Sequence, residues 1–384
     1  MSGGVLRLAA LAMLAAAAAA QSDAVVLKNS RMEVHILPTG ATLQRVLVPG
    51  RKKGEMVDVV LGFDEEQSYR NGSNPQMGST LGRVGGRIAG ARFEIDGVEY
   101  RTSANAGNDT MHGGEIGWDR RQFSVVDKGE EGNSSWVTLE YQSPGGEMGF
   151  PGAVNCTVTY TLRDDEDGEY GRLEYEVKAV TDQPTPVSVY LHPYFNLAGQ
   201  GSGSVLNHTL VMNSSYLVPY AGQTPVPSGE FAPVAGTIYD FQTPTALGKH
   251  VDSPKLEWLG GYDNVWALFG LGADAVGAMQ DFQVAAEPQW AAKLLDPESG
   301  RGVEFYTTAP AMIVYTGNGL DQPGKDGAQY KAHDGVAIEV GQFPNAVNTP
   351  TFPSVVLRPG QEYVNRAAWR FTQDRPAKQP SNAE

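Results

Sequence analysis

Long stretches of the chain alternate between apolar and polar positions. In "VNCTVTYTL" (154–162), Val154, Cys156, Val158, Tyr160 and Leu162 share one parity, and Asn155 and three threonines the other. Successive side chains of a strand point to opposite faces, so a period of two predicts a strand buried on one side. "RLEYEVKAV" (172–180) repeats the pattern after the turn-rich "RDDEDGEYG". "RMEVHIL" (31–37), "SWVTLEY" (135–141), "GVEFYTT" (302–308) and "AMIVYTG" (311–317) read as further strands. "RFEIDGVEYR" (92–101) predicts a hairpin, because Asp96-Gly97 tolerates the positive φ of a tight primed turn. "PVSVYL" (186–191) also alternates. It predicts one strand with Val187, Val189 and Leu191 on the apolar face and Ser188, Tyr190 and His192 on the other.

Helical periodicity is scarce. Beyond the N-terminal segment, no apolar stripe at i, i+3, i+4, i+7 lasts several turns. The 46 glycines and 24 prolines are scattered between the strands, as turns require. These features predict an all-β protein, a large antiparallel sandwich. No Pro/Ser-rich or charged linker interrupts residues 25–372, which read as one domain, and the polar tail 373–384 reads as disordered.

Composition narrows the setting. A net charge of −15 over 384 residues argues against a nucleic-acid partner and gives no attraction to an anionic membrane surface. Residues 1–20 carry Arg7, then an apolar run ending in small residues, the pattern of a cleaved signal peptide. A secreted, extracellular protein is therefore expected, with no membrane association after cleavage. Six N-x-S/T sequons, at Asn71, Asn108, Asn133, Asn155, Asn207 and Asn213, agree with a secretory route and predict a glycoprotein. Cys156 is the only cysteine, so no internal disulfide forms, and its place among Val154, Val158 and Tyr160 predicts a buried, inert thiol.

The six histidines stand in no HxH, HExxH or HxxxH arrangement, so neither a metal centre nor another cofactor is expected. The glycine clusters "GRVGGRIAG" and "GQGSG" match neither a dinucleotide fingerprint nor a P-loop, and no G-x-S-x-G elbow occurs. Five residues remain as candidates for chemistry. Arg87 lies among glycines, His112 precedes a Gly pair, and Asp263 follows Tyr262. His192 precedes Pro193, and Glu339 lies opposite the aliphatic stripe Val336, Ile338 and Val340. Taken singly, each has an ordinary structural reading, and a solvated face is the default for a strand glutamate.

Together, the stretches around these residues resemble the aldose 1-epimerase, or galactose mutarotase, family. Its members read approximately G-R-V-A-N-R-I, N-x-L-H-G-G, H-x-Y-F-N-L, G-Y-D-H and L-E-T-Q-x-F-P-D-x-x-N. This chain has "GRVGGRI", "NDTMHGG", "HPYFNLAG", "GYDN" and "IEVGQFPNAVN" in that order, with "LGFDEEQSY" and "YTGNGL" as further family-like segments. The resemblance implies a galactose mutarotase-like β-supersandwich. It also implies interconversion of the α and β anomers of free aldohexoses, glucose or galactose, by acid–base ring opening and reclosure.

Carried over by position, Glu339 is the implied general base, His192 the general acid, and His112, Arg87 and Asp263 hold the sugar. Reference pKa values of about 6.5 and 4.3 suit an imidazolium acid and a carboxylate base near neutrality. Tyr194, Phe195 and Trp266 are candidates to pack on the sugar faces, with core packing the favoured role for Phe195. Four positions depart from the family pattern: Gly86 for Asn, Asn264 for His, Gly341 for Gln and Asn345 for Asp.

The resemblance leaves the oligomeric state open, with a monomer favoured. A glycan on Asn108 would crowd His112, so that sequon is expected to be unoccupied. Three other readings fit parts of the sequence. One is a non-catalytic sugar-binding protein on this scaffold. Another is a hexose-6-phosphate 1-epimerase using Arg83, Arg87 and Arg92. The third is a glycosidase using Asp263 and Glu339.

Overall fold

A computed structural model describes residues 24–71, 74–272 and 286–374; the segment read as a signal peptide and nearly all of the tail lie outside them. Antiparallel sheets dominate, as the period-two patterns predict. The largest has nine strands. Its first five, in spatial order, are Ser124–Glu131, Ser134–Ser143, Val154–Arg163, Gly171–Thr181 and Tyr363–Gln373. Arg301–Thr307, Gln289–Leu295, Thr209–Met212 and the two-residue Thr245–Ala246 complete it.

In Val154–Arg163 the predicted apolar parity is buried throughout, Cys156 included. Burial in apolar surroundings pushes the Cys156 thiol up, so it stays protonated and unreactive. The hairpin of Arg92–Ile95 and Val98–Arg101 turns through Asp96 and Gly97 at φ 53° and 81°, the two left-handed residues of a primed turn. The helical content foreseen as scarce amounts to one five-residue α-helix, Glu66–Arg70, and short 3₁₀ turns among the described residues.

A second sheet of six strands carries Tyr194–Phe195, Val336–Gly341, Ala311–Tyr315, Asp263–Leu268, Ser214–Val218 and Ala232–Pro233. One face, with Trp266, Leu268, Met312, Val314, Val336, Ile338 and Val340, shares a core with the nine-stranded sheet. That core also takes Val34, Ile36, Leu43, Val46 and Val48 from a four-stranded sheet at the N-terminal end of the described chain. Burying this surface at roughly 25 cal/mol per Å² is the main stabilising term.

One predicted element differs. The run 186–191 is not a single strand. It breaks into short pairings, Thr185–Pro186 with Val356–Leu357 and Tyr190–Leu191 with Thr80–Leu81. Ser188, Tyr190 and His192, expected on a more polar face, are as buried as Val187, Val189 and Leu191. The alternation survives, but its second face is enclosed instead of open to bulk water.

Two features bear on stability. Lys325 is fully buried, and its ammonium donates to Asp58 Oδ2 at 2.6 Å and to the carbonyls of Gln44 and Val60 at 2.7 and 2.8 Å. Removing one member of a buried ion pair strands the other. Lys325→Met is expected to cost about 3–5 kcal/mol in urea unfolding; a loss below about 1 kcal/mol would mean that water reaches Asp58. The second feature is the outer strand Ser124–Glu131. It is largely exposed on both faces, carries Asp127, Lys128, Glu130 and Glu131, and has a register shift between Val125 and Asp127.

Candidate active site

The outer face of the six-stranded sheet supplies the first wall. Alternation that sends Trp266, Val314 and Ile338 into the core sends Asp263, Val265, Ile313, Tyr315 and Glu339 the other way. Register then places them. Ile313 lies opposite both Glu339 and Val265, and Tyr315 lies opposite Asp263. The two carboxylates are thus set diagonally across an intervening strand. Glu339 is 3% exposed, which replaces the solvated-face default by a buried carboxyl.

Loops supply the opposite wall. His192 sits between two short paired segments. Its backbone N–H donates to the Ser79 carbonyl at 3.1 Å, and its carbonyl accepts from Gly78 at 2.8 Å. The ring reaches Glu339, with Nε2 3.2 Å from Oε1. The His112 ring stands edge-on to that of His192, with centroids 5.5 Å apart.

His112 and Gly86 exchange two hydrogen bonds. The His112 N–H donates to the Gly86 carbonyl at 3.0 Å, and the Gly86 N–H donates to His112 Nδ1 at 3.2 Å. A ring nitrogen that accepts is unprotonated, so the proton of neutral His112 is on Nε2. Arg87 follows at the start of the short pairing Arg87–Ile88 with Thr110–Met111. Its carbonyl accepts the Asn345 N–H at 2.8 Å, and the Asn345 side chain accepts from Ala89 at 3.0 Å.

These groups converge. One cavity of about 290 Å³ is lined by Arg87, His112, His192, Asp263 and Glu339 together with Gln76, Met111, Tyr190, Tyr194, Tyr220 and Ile313. Its size lies near the lower end of small-ligand pockets, roughly 300–1,000 Å³. All five residues singled out in the sequence are in it. Tyr194 is in it as well, whereas Phe195 and Trp266 belong to the core. Trp266 therefore cannot stack on a ligand here; its indole N–H donates to the Tyr239 carbonyl instead.

Burial sets the protonation states. It pushes Glu339 well above the usual carboxylate range, and the nearby charge of Asp263 adds to the shift. It pushes His192 down to about 4 and Asp263 up to about 6, with Arg87 opposing the latter. His112 is also held well below the ordinary histidine value, by burial and then by His192 and Arg87. The charged pair expected from reference pKa values is therefore not the form that burial favours. Desolvation favours a neutral carboxyl beside a neutral imidazole, with one proton between them.

A family model described as aldose 1-epimerase matches residues 23–368. The chain belongs to the aldose 1-epimerase family. It is 38% identical to the galactose mutarotase of Sus scrofa over 89% of this chain and 92% of that protein. It is 30% identical to the aldose 1-epimerase of Escherichia coli K12, over 89% and 93%. A GalM/aldose epimerase homologue from C. elegans shares the fold at a TM-score of 0.78 and 27% identity, covering 92% of this chain and all of that one.

The departures from the family motifs now have positions. Asn264 has the parity of Trp266 and does not line the cavity. Asn345 supports the Arg87 segment from behind. Gly86 lines the cavity, and Gly341 lies behind Tyr190. Tyr190, Tyr220, Tyr315, Ile313 and Gln76 are among the lining residues that sequence reasoning missed. Register opposite Glu339 is the signal that would have found Ile313. Tyr190 shares the parity of His192 two residues on.

Proposed function

We propose that the protein is an isomerase that interconverts the α and β anomers of free aldohexoses. The observation that carries this reading is the His192–Glu339 contact, buried on a cavity that also presents Arg87, His112 and Asp263. Mutarotation takes one proton from the C1 hydroxyl and delivers one to the ring oxygen as the C1–O bond opens. Rotation about C1–C2 and the reverse steps then close the ring on the other face. Net proton count does not change, which suits a pair holding one shared proton.

Transfer of that proton from Glu339 to His192 gives the reactive arrangement. The Glu339 carboxylate takes the C1 hydroxyl proton, and the His192 imidazolium protonates the ring oxygen. Arg87 and Asp263 hold sugar hydroxyls, and the His112 Nε2–H donates to an oxygen near the same centre. The test is polarimetry on freshly dissolved α-D-glucose and α-D-galactose. Faster decay to the same equilibrium rotation is expected, and the rate ratio ranks the two sugars. No acceleration by folded protein would leave the sugar-binding reading.

The phosphate-sugar reading lacks its basic cluster. The Arg83 guanidinium is buried and donates to the carbonyls of Pro151 and Gly152, and Arg92 is an exposed strand residue outside the cavity lining. Only Arg87 of the three lines the cavity.

The pH dependence follows from the shifts. Asp263, raised to about 6, takes a proton and loses its charge below that pH, and His192 adds a second proton to the pair only near 4. The acid limb of kcat/KM is expected near pH 6 in the native protein and near 4 in Asp263→Asn. A limb that stays near 6 in the variant would remove Asp263 as its source.

We further propose that the enzyme works outside the cell as a glycoprotein. All six sequon asparagines are exposed, which supports this setting. A mobility shift after enzymatic deglycosylation of protein from the native source is the expected result.

A further inference from the structure

Four tyrosines line the cavity, and three have their hydroxyls engaged. Tyr194 donates to the Pro75 carbonyl at 3.4 Å, and Tyr220 donates to the Asp263 carbonyl at 2.6 Å. Tyr315 accepts the Gly319 N–H at 2.7 Å. Tyr190 differs. It is 1% exposed, and among the described residues no group pairs with its hydroxyl. Leaving a buried hydroxyl unpaired is costly, so such groups are few in native proteins and call for a reason.

The ring is held in a slot that only glycine permits. A Cβ on Gly341 would overlap Tyr190 Cδ1, and one on Gly85 would lie 2.5 Å from Cε1. A Cβ on Gly86 would stand 3.2 Å from the Tyr190 hydroxyl and 2.8 Å from Pro344 Cβ. Two of these glycines, Gly86 and Gly341, are positions where the family motifs carry an amide side chain, Asn and Gln. Their polar groups are gone, and an aromatic ring tipped with a hydroxyl fills the space that opens. Burial and the neighbouring Glu339 hold the phenol well above its ordinary value, so it keeps its proton.

We infer that Tyr190 is a substrate-contacting, specificity-determining residue whose hydroxyl donates a hydrogen bond to one hydroxyl of the bound aldose. The glycine slot fixes the ring, and the sugar completes the missing pairing. This inference rests on the epimerase reading.

Its test is Tyr190→Phe, which keeps the ring and its packing. Wild type and variant are compared by polarimetry on glucose, galactose and their monodeoxy analogues. The variant is expected to lose about threefold to tenfold in kcat/KM, mostly through KM. With the one deoxy sugar that lacks the contacted hydroxyl, the two proteins should be equal. Equal kcat/KM on every sugar, or the same loss on every sugar, would overturn the inference. Calorimetric titration of the same sugars separates the two readings. Wild type that binds without turnover refutes the epimerase reading, while the ratio of the two proteins' Kd values still scores the Tyr190 contact. Absence of binding refutes both.

Discussion

Glu339→Gln is expected to lower kcat on free hexose by about 10²–10⁴-fold, with KM nearly unchanged. The amide matches the carboxyl in shape and can still hydrogen-bond, but it cannot take a proton at neutral pH. Folding should survive, because burial already favours the uncharged form of Glu339. A neutral amide replaces a neutral acid, so no buried charge is lost. Polarimetry at saturating sugar gives kcat, and circular dichroism with thermal melting checks the fold. A folded variant within tenfold of the native rate would remove Glu339 from the role of base.

His192→Asn is expected to fall in the same range, for a related reason. The imidazole is the other holder of the shared proton, 3.2 Å from Glu339. Without it, the ring oxygen leaves as an alkoxide with no buried donor of suitable pKa beside it. Because the two residues act as one unit, their losses should not add. The double variant is expected to be about as slow as the slower single variant. Fully multiplicative losses would mean that each residue serves a separate step, and a near-normal His192→Asn would move the acid role elsewhere. His112 is the neighbouring ring, but its Nδ1 is already committed to the Gly86 N–H.

Much of this architecture can be read from alternation. The strands at 154–162 and 172–180 follow from period two, because each has one clear apolar face, and the Asp96-Gly97 hairpin follows from turn chemistry. The run at 186–191 shows where that logic stops. Alternation tells which residues share a face, but not whether the second face meets water or protein, so Tyr190 and His192 read as more exposed than they are. The five polar site residues were legible because their chemistry and motif context set them apart.

Ile313, Tyr220 and Gln76 were not legible, since an apolar strand residue and loop residues acquire a role only when register and loop closure set them beside Glu339. Trp266 was misplaced for the converse reason: a large aromatic near Asp263 looks like a sugar platform until the strand parity is known. Protonation was the least legible property. Reference pKa values predict two charges, and desolvation, which no local sequence pattern reports, removes both.

The two ends of the nine-stranded sheet have a consequence for crowding. Antiparallel ladders grow wherever a long, flat, apolar edge meets another copy of itself. One edge here is only Thr245–Ala246, too short to template a partner. The other, Ser124–Glu131, pairs on one side only among the described residues, but its register shift twists the ribbon and Asp127, Glu130 and Glu131 repel a second copy. Concentrated protein is thereby protected against sheet-to-sheet polymerisation. The protection lies in a handful of charges far from the cavity, where a change to valine would leave turnover intact and turn the edge into a seed for fibres.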